Sequence, residues 1–322
     1  MPADLRPADP FAPLTSGMLA VGQGHEIYVE SIGRKDGIPA VYLHGGPGSG
    51  CQNDHRRLFD PERFHAVLFD QRGSGRSRPK GARKNNTLSH LIADMEMIRV
   101  KFGFDRWIVV GGSWGATLAL AYAQSHPDRV SGLVLRATFL GTDEELQDVF
   151  LNALPRFYPA LNEDFLALLP EAERAHPLQA YWRRILDSDA AVHGPFARVW
   201  HDTERILSEY KPARNRLERA SLTGTGALPA TPFMEAHYFQ NHCFMRPGQL
   251  LEQAGQLTGI PGVIVQGRYD LLCPPKISHA LAERWHDAEI RIVEGAGHTL
   301  HDPGVRDAVM RAIADVAARV ER

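Results

Sequence analysis

Trp107-Ile-Val-Val-Gly-Gly-Ser-Trp-Gly-Ala-Thr-Leu118 is the stretch on which the fold turns. Its first four residues are apolar and mostly β-branched, as in a strand buried on both faces. From Ala116 to Gln124 the chain is rich in Ala and Leu, which favours helix. Between the two, Gly111-Gly-Ser113-Trp-Gly115 fits the pattern Gly-x-Ser-x-Gly. So sharp a turn from strand to helix admits only small residues around the serine, and it lifts the hydroxyl clear of the carboxyl edge of a sheet. The helix that begins there points free N–H groups and its positive end at negative charge developing on that edge.

The flanking sequence repeats the same alternation. Pro39-Ala-Val-Tyr-Leu43 runs into a glycine cluster, Phe64-His-Ala-Val-Leu-Phe69 ends at Asp70-Gln-Arg-Gly, and Val21 to Ser31 reads as part of an opening hairpin. Apolar residues at 88, 91, 92, 95, 98 and 102 predict a helix over Leu88–Phe102, and Val130–Leu135 predicts another strand. Strands alternating with helices imply crossover connections and a mostly parallel central sheet. From about Gly141 to Met245 strand signals nearly vanish. Leu, Ala, Arg and Glu recur there at helical spacing, interrupted by prolines at 155, 159, 170, 177, 195 and 212. Strands return at Gly262–Val265 and Ile290–Val293, before a closing helix over Val305–Val320. The predicted organisation is an α/β core from residues 1–140 and 246–322, with 141–245 inserted as a helical cap. An independent helical domain is the alternative, but the strands on either side are too few for two separate sheets.

Bulk composition narrows the function classes. The 322 residues are 43% hydrophobic and 23% charged, with 36 Lys and Arg against 38 Asp and Glu. No basic run gives a nucleic-acid footprint, and no apolar stretch is long enough for a membrane span. Met1 to Pro10 has neither a cationic start nor an apolar core, so no signal peptide is predicted. Three cysteines, at 51, 243 and 273, are odd in number and sparse; they suit a reducing, cytoplasmic setting rather than a disulfide framework.

The predicted strand ends carry the chemistry. Ser113 is the candidate nucleophile. His44-Gly-Gly-Pro-Gly48 follows the Pro39–Leu43 strand, and glycines there leave backbone N–H groups open to a ligand. Two such donors facing a tetrahedral oxygen make an oxyanion hole, here predicted from Gly46 and Trp114. His44 itself is read as structural. Asp270 ends Gly267-Arg-Tyr-Asp270 after one strand, and His298 ends Gly295-Ala-Gly-His298 after the next. The order Ser, Asp, His suits this architecture, with His298 as general base, Asp270 as its orienting acid and His301 as the reserve base. No His, Cys or acidic cluster has metal-ligand spacing and no nucleotide loop is present, so neither metal nor cofactor is expected.

Taken together these segments resemble the proline iminopeptidase (prolyl aminopeptidase) family of the α/β-hydrolase fold. The matching runs are His44–Gly48, Asp70-Gln-Arg-Gly-Ser-Gly-Arg-Ser77, Gly111–Leu118, Tyr122–Pro127, Gly267–Asp270 with Cys273-Pro274, and Ala296–His298. The resemblance implies a serine exopeptidase that removes an N-terminal proline, acting on short peptides with a free amino terminus. It also implies that Glu204 and Glu235 hold that amino end and that Phe139 and Phe239 flank the proline ring. A protonated imino group entering a partly dry pocket needs such carboxylates beside it. Departures from the family pattern cluster in the same half: Ala137-Thr138 for Gly-Ile, Thr203 for a tryptophan and Ala236 for an asparagine. An esterase or other acyl hydrolase with an altered cap therefore stands as an alternative, as does a non-catalytic ligand-binding protein on the same scaffold.

Overall fold

A computed structural model describes residues 9–321, apart from 219, 220, 222, 223 and 225. The start of the amino-terminal segment read above as lacking a signal peptide lies outside the described residues. Eight strands form one sheet in the order β1-β2-β4-β3-β5-β6-β7-β8. They are β1 (Thr15–Gly22), β2 (His25–Gly33), β3 (Ile38–Leu43), β4 (Phe64–Phe69), β5 (Trp107–Ser113), β6 (Val130–Thr138), β7 (Gly262–Gly267) and β8 (Ala288–Val293). β1 and β2 pair antiparallel, as do β2 and β4; every other pairing is parallel. This is the α/β-hydrolase fold that the sequence predicts.

The period of two along each strand sorts side chains onto two cores. Val41, Leu43, Val67, Phe69, Val109, Leu133 and Leu135 join one cluster, under the helices Leu88–Lys101 and Trp114–Ser125. Tyr42, Leu68, Val110, Val134, Val263 and Val265 join the other, under the closing helix Val305–Val320 through Val309, Ile313 and Val316. With both faces covered, the central strands lose their polar alternation and read as continuous apolar runs. Trp114–Gln124 is buried on every side, which explains why its Ala/Leu run shows no polar stripe.

Between β6 and β7 all described regular structure is helical. The helices pack on an aromatic core of their own: Phe165 stacks on Tyr181 at 4.1 Å, and Phe150 on Trp200 at 4.5 Å. Prolines 155, 159 and 177 stand in the first turns of helices, where a missing N–H costs nothing. Pro195 does not interrupt its segment as its residue type suggests. The helix Ala190–Ser208 runs through it, because Phe196, Val199, Trp200, Ile206 and Leu207 beyond it all face buried surroundings. Packing outweighs one lost hydrogen bond. No helix among the described residues is long and apolar enough to cross a membrane.

The amino-terminal hairpin starts six residues earlier than the sequence suggests, since the exposed strand β1 carries little apolar signal. A buried ion pair anchors its tip. Arg72 donates to both oxygens of Asp94, at 2.7 Å each, and also to the carbonyls of Val21 and Asn85. Both side chains are almost fully enclosed. Removing one partner strands the other charge, so Asp94→Ala is expected to lose about 3–5 kcal/mol of stability. Urea unfolding of the two proteins measures the difference.

Candidate active site

Ser113 closes β5 with φ 57° and ψ −125°, a left-handed backbone that a non-glycine residue adopts only when its surroundings force it. The force is crowding. A Cβ at Gly111 would lie 2.2 Å from the carbonyl oxygen of Gly115, and one at Gly115 would lie 2.1 Å from that of Leu43. With glycine at both places, strand and helix pass close enough to fold the serine outward. Its hydroxyl reaches a cavity of about 330 Å³ that is also lined by Gly46, Glu204, Glu235 and His298. Residues from β5, from the loops after β3 and β8, and from the helical insert therefore meet in one place.

His298 is held at several atoms. Its Nδ1 lies 2.9 Å from one oxygen of Asp270 and 3.1 Å from the other, so it donates a proton there and leaves Nε2 free to accept one. Asp270 is buried and also accepts from the backbone N–H groups of Leu272 and Cys273, at 3.0 and 2.8 Å. The backbone N–H of His298 donates to the Ser208 carbonyl at 3.0 Å, and Arg136 donates to its own carbonyl. Among the described residues neither the Ser113 hydroxyl nor Nε2 of His298 has a hydrogen-bond partner; both face the cavity. His301, the reserve base, does not line it.

On the opposite side, Gly46 sits in the loop after β3, and its N–H meets no backbone acceptor among the described residues. Trp114 is the first residue of its helix, so its N–H has no intrahelical acceptor. Gln71 ties these two elements together. It receives the indole N–H of Trp114 at 2.8 Å and donates its amide to the carbonyl of His44 at 2.9 Å, while its backbone N–H meets Nε2 of His44 at 3.0 Å. His44 is wholly buried, and burial lowers its pKa; it is a strut for the loop. Sequence reasoning passed over Gln71. Its only signal was its place in the Asp70–Ser77 run, which marked the family without a role for the side chain.

Two carboxyls close the cavity from the insert. Glu204 belongs to the helix Ala190–Ser208 and Glu235 to the helix Thr231–Gln240. Burial raises the pKa of both, and the negative charge of Glu204 raises that of Glu235 further. Trp200 donates its indole N–H to Glu235 at 2.7 Å. Each acid in such a pair disfavours ionisation of the other, and a cation beside them would offset that. Phe139 and Phe239 meet edge to face at 5.8 Å, both buried, and are not among the residues lining the cavity. A larger space of about 490 Å³, bounded by Leu140, Met245, Leu251 and Ile277 among others, contains none of the candidate residues. Among the described residues no cluster of three or more His, Cys, Asp or Glu is placed to hold a metal ion.

Known proteins resemble this chain in sequence and in fold. A family model described as the alpha/beta hydrolase fold matches residues 39–305. The chain is 40% identical to a proline iminopeptidase of Neisseria meningitidis over 308 residues, 94% of this chain and 96% of that protein. It is 40% identical to one of Arabidopsis thaliana over 298 residues, 92% of this chain and 78% of that one. Among solved structures, a proline iminopeptidase-related protein from Thermus thermophilus superposes with a TM-score of 0.61 at 22% identity, covering 95% of this chain and 98% of its own.

His55, also on the cavity wall, lies with its ring 4.5 Å from that of Tyr42, tilted by 33°, and accepts the N–H of Gln52 at 2.9 Å. Burial, helped by nearby His44 and Arg136, pushes its pKa down to about 3. Below pH 6.5 the unfolded chain takes up a proton at this residue and the folded one does not. Stability thus falls with pH from there to about 3, by up to ~1.4 kcal/mol per unit from this group. His55→Gln is expected to remove that slope; the difference between the two unfolding free energies across pH 4–6 tests it.

Proposed function

The chain belongs to the proline iminopeptidase family of α/β hydrolases, and from that premise we propose how its residues release an N-terminal proline from peptides. It is a serine hydrolase, with short peptides bearing a free amino end as substrates. The core comprises residues 1–140 and 246–322, and the helical insert 141–245 is a cap that closes over the substrate. Glu204 and Glu235 receive the protonated imino nitrogen. A cation between them favours ionisation of both, so binding the amine compensates a charge that burial otherwise disfavours. An amine anchored at this pair presents only the first carbonyl to Ser113. Exopeptidase selectivity follows.

With the amine anchored, the first carbonyl lies over Ser113. His298 removes the hydroxyl proton through Nε2, while Asp270 keeps the proton on Nδ1 and stabilises the imidazolium without accepting its proton. The N–H groups of Gly46 and Trp114 stabilise the oxyanion, at roughly 3 kcal/mol for each donor. His298 then protonates the leaving amine, and water, deprotonated by the same imidazole, hydrolyses the acyl-enzyme. Phe139 and Phe239, which pack edge to face and do not line the open cavity, are assigned to the proline side of the site. The three cysteines, all unpaired, are in keeping with a cytoplasmic setting.

The observation that carries this reading is the occurrence, around one cavity, of a half-buried serine, an Asp-oriented imidazole and two acids, Glu235 buried and Glu204 half-buried. Hydrolysis of prolyl, alanyl and N-acetylprolyl anilides tests it. The free-amine prolyl substrate is expected to react fastest, and the acetylated one at under about a tenth of its rate, from the loss of a charge-assisted hydrogen bond. Equal rates for blocked and free amines would remove the acids from the mechanism.

Glu204→Gln is expected to raise KM for the free amine by about 10- to 100-fold, with kcat changed less. The acid pair also sets a pH dependence. Protonation of both carboxyls abolishes the anionic site, so 1/KM should rise with pH on a limb above the ordinary carboxylate range. That limb is absent for the acetylated substrate. Steady-state kinetics from pH 4 to 8 resolves it.

A further inference from the structure

The helix Ala190–Ser208 presents Glu204 to the cavity and ends one turn later against the loops that carry the acid and the base. Its last carbonyl, on Ser208, receives the backbone N–H of His298 at 3.0 Å. Two residues on, the ring of Tyr210 stacks on that of Tyr269 at 5.2 Å with an interplanar angle of 26°. Tyr269 precedes Asp270, and its own N–H donates to the carbonyl of Ala296 at 2.9 Å, so the acid and base loops are tied to each other as well. The fit beneath Tyr210 is close: a Cβ on Gly297 would lie 3.0 Å from its backbone nitrogen and 3.2 Å from the Ser208 oxygen. Glycine at 297 lets the insert lie directly on the base loop.

Tyr269 is 54% exposed, so its ring contributes little to the core. The stack instead joins two segments that are about sixty residues apart in sequence and touch at the base. We propose that Tyr210, stacked on Tyr269, is a positioning residue that latches the end of the Glu204 helix to the acid and base loops. The element that senses the substrate's amine thereby also holds His298 in register with Ser113. This rests on the serine-hydrolase reading above. It goes further in assigning the insert a part in setting the base, beyond closing over the substrate. The carboxyl end of a helix also favours positive charge, which suits an imidazolium formed beside Ser208.

The test uses a fluorophosphonate, whose reaction with Ser113 depends on the base and requires no amine. Tyr210→Ala is expected to slow labelling about tenfold and to lower kcat for prolyl anilide by a like factor, with KM nearly unchanged, because a small misplacement of the base is costly. Tyr210→Phe keeps the ring and should restore both. Tyr269→Ala, on the exposed side of the stack, should repeat the loss, and it decides the matter if Tyr210→Ala does not fold. If folded Tyr210→Ala is labelled at the wild-type rate, or its defect lies only in KM for the amine substrate, the latch is wrong and the serine mechanism stands. If the wild-type enzyme is not labelled, or Ser113→Ala is labelled equally, the serine mechanism and the latch fall together.

Discussion

At Ser113 the backbone is held in a conformation worth roughly 1–3 kcal/mol of strain, and the rest of the site is arranged around that one turn. The strain persists because the alternatives are blocked. β5 is paired on both sides, with β3 and β6, and the helix that follows is buried along its whole length. The chain passes from strand to helix between Ser113 and Trp114, and Gly111 and Gly115 let it do so at a separation no side chain would permit. Relaxing the turn would pull the helix off the sheet, which would lose far more apolar burial than the strain amounts to.

The turn alone makes a hydroxyl available; neighbouring strand ends make it reactive. β6 and β7 deliver Arg136 and Asp270, and the loop after β8 delivers His298. Parallel strands put their carboxyl ends at the same edge, so a chemistry needing groups from several of them assembles without long connections. At β6 the register with β5 shifts by one: Gly112 pairs with Arg136 and Ser113 with Thr138, leaving Ala137 as an extra residue with φ 50°. A bulge of this kind re-aims the side chains around it. Here it lies directly beside Ser113.

Electrostatically the cavity has two unlike ends. The imidazole is poised by a buried carboxylate that two backbone N–H groups keep in place, whereas the acids from the insert are set against each other and desolvated. One arrangement favours proton transfer and the other favours receipt of a cation. The insert links them, because the helix bearing Glu204 ends on the backbone of His298. Glu204 and the backbone contact to His298 share one helix.

From the sequence by itself came the alternation of strands and helices, the elbow at Ser113, the candidate strand-end residues and, through resemblance, the two glutamates. Those signals are local: apolar period, glycine spacing and motif order survive in a linear string because each depends on residues a few positions apart. Tertiary structure alone decided how the groups stand toward one another. Gln71 bridging His44 and Trp114, Arg136 reaching the His298 carbonyl, and Tyr210 lying on Tyr269 are contacts between residues 27 to 162 positions apart, and no local pattern encodes them. It also set Phe139 and Phe239 edge to face against each other, outside the residues that line the cavity. Periodicity specifies which face of an element is buried, but only the packed chain specifies against what.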